Sequence, residues 1–357
     1  MTKNNLLSEK LNYIGESETP THLHLCSYNA EGTQVCRGNL QEVIPQLKTD
    51  CINWIQVHGL QNTETIHQLC SHFNIDFLTT QDILNSEHLT KIEEHETYNV
   101  VILKQLSIVK QNELLPQQLC IVQGKDYVLT FAEKETDLFN EINTALEKNV
   151  LKIRNRQSDF LLSVILNSVM ASFMSLISKM EDDLEDLEEQ FLSPLSPIPT
   201  QQPGIEEIQV YRRNYRLIKK SIFPLKEQIN KLFHAENQLL HKANRPFFSD
   251  VNDHLQFILQ TLEGCRDLLS ALVDLFGKQR PANEQYHEAT YHCIYHLYTS
   301  DFPCRHMGNE LSVDARAGME IWIFLCLGID DCCRSHCIFL LQAQEMVLKQ
   351  QIGLILL

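Results

Sequence analysis

The residues from Glu181 to Glu189 read Glu-Asp-Asp-Leu-Glu-Asp-Leu-Glu-Glu, and such a density of carboxylates either attracts cations or faces solvent along a helix. Asp250 and Asp253 lie one helical turn apart, so their carboxylates share a face and offer oxygen to a hard ion such as magnesium. A competing reading makes Asp250 a helix cap shortly after Pro246. Near the C-terminus, Cys332, Cys333, His336 and Cys337 have zinc-type side chains, and His292 and His296 form an i, i+4 pair. Against a zinc site, Cys332 and Cys333 are adjacent rather than spaced by two, and no strand-turn frame surrounds them. The basic set Arg212, Arg213, Arg216, Lys219 and Lys220 is expected to pair with Glu181 to Glu189 across an antiparallel helix contact, rather than to bind phosphate.

The elements that must position these groups can be read from periodicity. Cys51 to Val57 predicts a strand and Glu64 to Phe73 an amphipathic helix. Val100 to Leu103, Cys120 to Val122 and Tyr127 to Phe131 predict further strands, the last two joined at Gly124-Lys125-Asp126. This alternation implies an α/β domain. Beyond Asp137 the period becomes helical. A long helix spans Phe160 to Phe191 and stops at the proline cluster from Ser193 to Pro199 and at Pro203-Gly204. A second helix starts near Ile205 and runs past Phe233, with a kink expected at Pro224, and a third spans Phe248 to Phe276. After Phe276 the pattern dissolves into Tyr, His and Cys without a consistent period. The fold class expected is α+β/α, with an N-terminal α/β domain over residues 1–136, a long-helix module over 137–276 and an irregular tail over 277–357.

At 357 residues the chain can bury a sizeable core, and its formal charge of -16 argues against a general nucleic-acid binder, which needs a basic face. Divalent cations suit that balance better. Met1 to Tyr13 shows neither the basic start nor the apolar core of a signal peptide, so the twelve cysteines are expected to be reduced thiols in the cytosol. No run of 18 consecutive apolar residues is present, and the best tail segment, Ile321 to Ile329, ends at Asp330 and Asp331. As written, the chain is expected to be soluble.

Taken in order, several segments resemble the CorA family of magnesium/cobalt transport proteins: Leu78 to Asn85, Lys91-Ile-Glu93, Asp159 to Leu162, Ile222 to Lys226, and Arg245 to His254 continuing through Arg266 to Phe276. The resemblance covers roughly Trp54 to Phe276. It implies a homopentameric membrane channel that passes hydrated magnesium, or cobalt, down the membrane potential, with a large cytoplasmic domain sensing internal magnesium. No bond-making chemistry is implied, and no catalytic residue. Matched by position, the metal-binding residues are Asp82 and Asp250, with Asp253 as an addition. Gln81 stands where the family usually has a glutamate beside Asp82, which removes one charge from any adjacent ion site.

After Phe276 the family continues into two spanning helices around a glycine-methionine-asparagine signature, and this chain does not. Read one nucleotide later, however, the permitted codons from Gly277 onward yield family-like sequence. Methionine and tryptophan have single codons, so Met307-Gly308, Met319-Glu320 and Met346-Val347 each force a shifted tryptophan, and Trp322-Ile323 forces a shifted glycine. All four fall where the family pattern accepts them. Residues 277–357 therefore read as out-of-frame translation replacing the membrane part, and the chain as written is expected not to conduct. The alternatives are a soluble magnesium-binding regulatory module and, using the tail, a zinc-dependent protein.

Overall fold

A computed structural model describes residues 10–109, 112–192, 205–233 and 237–299, with side chains described as far as 275. The chain divides into two compact units, Met1–Pro281 and Ala282–Leu357, and the first contains every element below except the end of the last helix.

A seven-stranded sheet forms the N-terminal part. Its strands are β1 (His22–Asn29), β2 (Gly32–Gly38), β3 (Ile52–His58), β4 (Lys91–Glu94), β5 (Tyr98–Ile108), β6 (Leu114–Gly124) and β7 (Tyr127–Ala132). They lie in the order β2-β1-β3-β7-β6-β5-β4. Only β3 and β7 pair in parallel; all other neighbours are antiparallel. The sheet is therefore mixed, with helices on both faces. β3 and β7 are central and covered on both faces, which is why both are buried along almost their whole length, including the polar Asn53, Gln56 and Thr130. Trp54 and Ile55 in β3 and Val128 and Leu129 in β7 are wholly buried.

Short helices cover one face: α1 (Leu40–Val43), α2 (Thr63–His72) and α3 (Phe77–Ile83). Ile66, Leu69 and Cys70 of α2 pack there with Leu25, Ile55, Val57, Val122 and Leu129. α4 (Asp137–Glu147) and the long helix α5 (Ser158–Leu192) cover the other. In α5, Phe160, Leu161, Leu162, Ile165, Leu166 and Val169 are each at most 1% exposed, and one apolar cluster joins them to Trp54, Val101 and Ile121 of the sheet. Each such side chain contributes about 1.5–3 kcal/mol of transfer free energy. α5 also has the length and composition of a membrane span, but 56% of its most apolar window is buried inside the protein, as befits a core helix.

Two further helices complete the module, α6 (Ile205–Phe233) and α7 (Arg245–Thr299). α6 runs continuously through Pro224. The start of α7 is tied to the start of α5 by Asp159, whose fully buried carboxylate accepts from the His241 backbone N–H at 2.7 Å and from Asn244 Nδ2 at 2.8 Å. Arg156 adds its guanidinium over the rings of Phe160 and Phe247 and donates to Asn244 Oδ1 at 3.0 Å. The helix expected to end at Phe276 continues to Thr299, which corrects the expectation of irregular chain directly after Phe276. The helix passes through both Gly277 and Pro281, and from Ala282 to Thr299 no further Gly or Pro interrupts it. The tail's Cys332, Cys333, His336 and Cys337, and the side chains of His292 and His296, lie outside the described residues.

Candidate metal-responsive surface

Asp82 lies in the last turn of α3. That helix starts at Asp76, a residue type suited to the cap position because its carboxylate can accept from free backbone donors. Asp76 accepts from the Thr79 N–H at 2.8 Å, from the Thr79 hydroxyl at 2.9 Å and from the Tyr98 hydroxyl at 2.6 Å. Burial pushes its carboxyl up, but these hydrogen bonds and the nearby His95 outweigh it and hold the group below the usual carboxylate range. The cap thus stabilises α3 and orients its far end toward the edge strand β4.

At that far end Lys91 of β4 donates from Nζ to Asp82 Oδ2 at 2.8 Å and lies 2.8 Å from Glu93 Oε2. Burial lowers the Lys91 ammonium, yet the two carboxylates more than compensate and its affinity for the proton is raised. His88 Nε2 is 3.3 Å from Asp82 Oδ1. Both oxygens of Asp82 therefore have local partners, and a cation reaching Asp82 must compete with Lys91 or bind through water. Gln81 is buried, and its Nε2 has no hydrogen-bond partner among the described residues. It faces the interior and adds no ligand at the surface.

Asp250 and Asp253 lie one turn apart on α7, as their spacing implied, and both are exposed. α7 begins at Arg245 with Pro246 in its first turn, where the missing N–H costs nothing, so Asp250 sits beyond the first turn. The capping reading of Asp250 is thereby corrected. The Asp250 side chain is 56% exposed, and its one ion-pair neighbour among the described residues is His254, at 3.9 Å. Oxygen donors of this kind fit a hydrated divalent cation. Within one chain, no three His, Cys, Asp or Glu side chains converge among the described residues, so Asp82, Asp250 and Asp253 are not one ligand set in a protomer.

The expected pairing of the acidic run with the basic set is not observed. Among the described residues, no Lys or Arg lies within ion-pair distance of the carboxylates from Glu181 to Glu189. The contact between α5 and α6 is occupied instead by Tyr211, whose hydroxyl donates to Asp183 at 3.1 Å, and Arg213 pairs with Glu113. Between α6 and α7 lies an open groove of about 850 Å³ lined by Arg212, Arg213, Arg216 and Arg266 with Tyr215 and Leu269. Arg266 was not legible as part of the basic set, because only packing brings α7 beside α6. The described cysteines are free, and burial pushes the Cys26, Cys70 and Cys265 thiols up to about 12, which leaves them unreactive.

Residues 50–283 match the family model described as CorA-like Mg2+ transporter protein. A cobalt/magnesium transport protein CorA from Thermotoga maritima is 27% identical over 266 residues, covering 74% of this chain and 74% of that protein. The complete CorA magnesium transporter from Methanocaldococcus jannaschii superposes with a TM-score of 0.60 at 17% identity, covering 85% of this chain and 93% of that one. The full-length CmaX protein superposes with a TM-score of 0.63 at 14% identity, covering 88% and 99%. The sheet, the paired long helices and the extended last helix are thus a shared fold, and the chain belongs to the CorA-like Mg2+ transporter family.

Proposed function

We propose that the protein derives from a magnesium, and secondarily cobalt, transport protein, membrane-located and pentameric as the resemblance implies, and that residues preceding Gly277 form its magnesium-sensing cytoplasmic part. Asp82, Asp250 and Asp253 supply carboxylate oxygens to hydrated Mg2+, with Co2+ as an alternative guest. Because they do not converge within one chain, the ion is shared between copies. The observation that carries this reading is the exposed Asp250 and Asp253 pair, free of any Lys or Arg partner among the described residues, inside the segment matched by the family model.

A metal held between copies favours whichever arrangement brings the carboxylates together, and its loss releases that bias, which is differential binding to two states. The chain performs no bond-making step in this reading. Residues 277–357 are out of frame, so the chain as written does not enclose a pore and its role is confined to sensing. Sequencing the coding DNA across the codons for Phe276 and Gly277 tests this part. An unbroken frame identical to the one read here supports it only together with absent magnesium flux. A restored family-like frame overturns it and makes a flux assay the test of transport.

The sensing role is tested by isothermal titration of the full chain with Mg2+. Saturable binding that disappears in Asp250→Asn/Asp253→Asn is expected. Binding unchanged by that pair, or none in the parent chain, contradicts the assignment.

A further inference from the structure

Asp182, Glu185, Asp186 and Glu189 are exposed at positions i, i+3, i+4 and i+7 of α5, and so form one solvent-facing stripe. Arg212, Arg213, Arg216 and Lys220 are exposed at i, i+1, i+4 and i+8 of α6 and form a second stripe of opposite sign. With a rise of about 1.5 Å per residue, the acidic stripe is about 10 Å long and the basic one about 12 Å. Their lengths match, yet no ion pair links them within the chain, since Tyr211 and Asp183 occupy the contact between the two helices.

Arg212 and Arg216 make no ion pair among the described residues, and the Nε of Arg216 donates only to the Arg212 carbonyl, at 3.3 Å. They line the groove with Arg213 and Arg266, and Asp274 is the one carboxylate in its lining. Glu113, Glu263 and Asp267 hold Arg213 and Arg266 from the rim.

We propose that the acidic stripe of α5 in one copy seats against the arginine-lined groove between α6 and α7 of a second copy. The two patches are different surfaces of one chain, so the contact is heterologous and each copy passes one patch of each sign to its neighbours. Such an arrangement closes into a ring when the rotation between copies allows. Charge complementarity of this kind fixes register and speeds encounter, and it weakens as salt screens it. The proposal deepens the homo-oligomer reading above by naming its surfaces. It requires no bound metal, so its test is run in EDTA, where failure of the magnesium reading leaves it intact.

The experiment is sedimentation velocity of the full chain in EDTA, from about 50 to 500 mM NaCl, a range over which the screening length falls severalfold. Self-association that weakens with salt is expected. Arg212→Glu/Arg216→Glu and Asp182→Lys/Glu185→Lys, each checked for unchanged helicity by circular dichroism, are expected to weaken it at least about tenfold. The chain carrying all four changes is expected to recover association, which a merely destabilising effect does not allow. A monomeric parent chain, reversals without effect, or no recovery in the fourfold variant overturns the proposal. So does saturable binding of inorganic phosphate that is lost in Arg212→Glu/Arg216→Glu without any self-association, because the groove is then a small-anion site.

Discussion

The sheet domain and the long-helix module handle charge in opposite ways. Around α3 and β4 each carboxylate has an internal partner: Asp76 has Thr79 and Tyr98, while Asp82 has Lys91 and His88. On α5 and α7 the carboxylates of Asp182, Glu185, Asp186, Glu189 and Asp253 face solvent without a Lys or Arg partner among the described residues. Charges satisfied within a chain hold its elements in place, whereas charges left over on a rigid helix are available to ions and other molecules. The difference divides the molecule into a part that maintains its own structure and a part that presents its surface outward. Asp82 lies where the two roles meet, since any ion it binds competes with Lys91.

Substitutions can break this comparison, beginning with the sheet core. Trp54 is wholly buried, packs edge-on against Phe139 at 5.5 Å and donates from Nε1 to Thr130 at 3.1 Å. Trp54→Ala is expected to cost about 3–5 kcal/mol, read from urea unfolding, because a cavity and an unpaired hydroxyl are left together. Asp159→Ala is expected to cost about 2–3 kcal/mol in the same assay, since it strips the part-buried His241 N–H and the buried Asn244 amide of a charged acceptor. With Asp183, it is a carboxylate of the helical module used inwardly, and a loss as small as that of a surface residue would remove the distinction.

Asp76→Ala is expected to cost about 1 kcal/mol, the usual value of a helix cap. Its native carboxyl is held below the ordinary range, so the contribution is complete above the unfolded pKa of about 4 and is lost as pH falls through the depressed native value. Parent and variant should converge in acid-unfolding curves below about pH 4, and a constant difference across that range would show that the charge is not what caps α3. At the small end, Arg213→Ala breaks a pair with Glu113 in which both side chains are more than 40% exposed, and stability should change by no more than about 0.5 kcal/mol.

Long periodic elements were the legible part of the fold. α2, α5 and α6 match their predicted spans to within about two residues because a continuous apolar stripe has few alternative readings. β3 and β7 were readable as short, largely apolar runs rich in β-branched and aromatic residues, and the β6–β7 hairpin from its Gly124 turn. β1 was not, because His24 and Ser27 interrupt its apolar pattern and are buried only through partners from β3, Gln56 and Asn53. The parallel pairing of β3 with β7 is likewise a long-range fact that no local window contains. Of the site, the shared face of Asp250 and Asp253 followed from spacing alone, whereas Asp82 was indicated by resemblance alone, and its Lys91 partner belongs to another element. The acidic and basic sets were visible as sets; that they do not meet was decided by Tyr211 and Glu113, whose roles appear only in the packed structure.

Hydrogen-deuterium exchange of the full chain, with and without Mg2+ at matched ionic strength, tests the link between the two regions most directly. If the ion is shared by Asp82 of one copy with Asp250 and Asp253 of another, protection should rise together in residues 77–94 and 245–256, and Asp250→Asn should abolish both increases. Protection confined to one of these segments, or unaffected by Asp250→Asn, would contradict an ion site built from both regions.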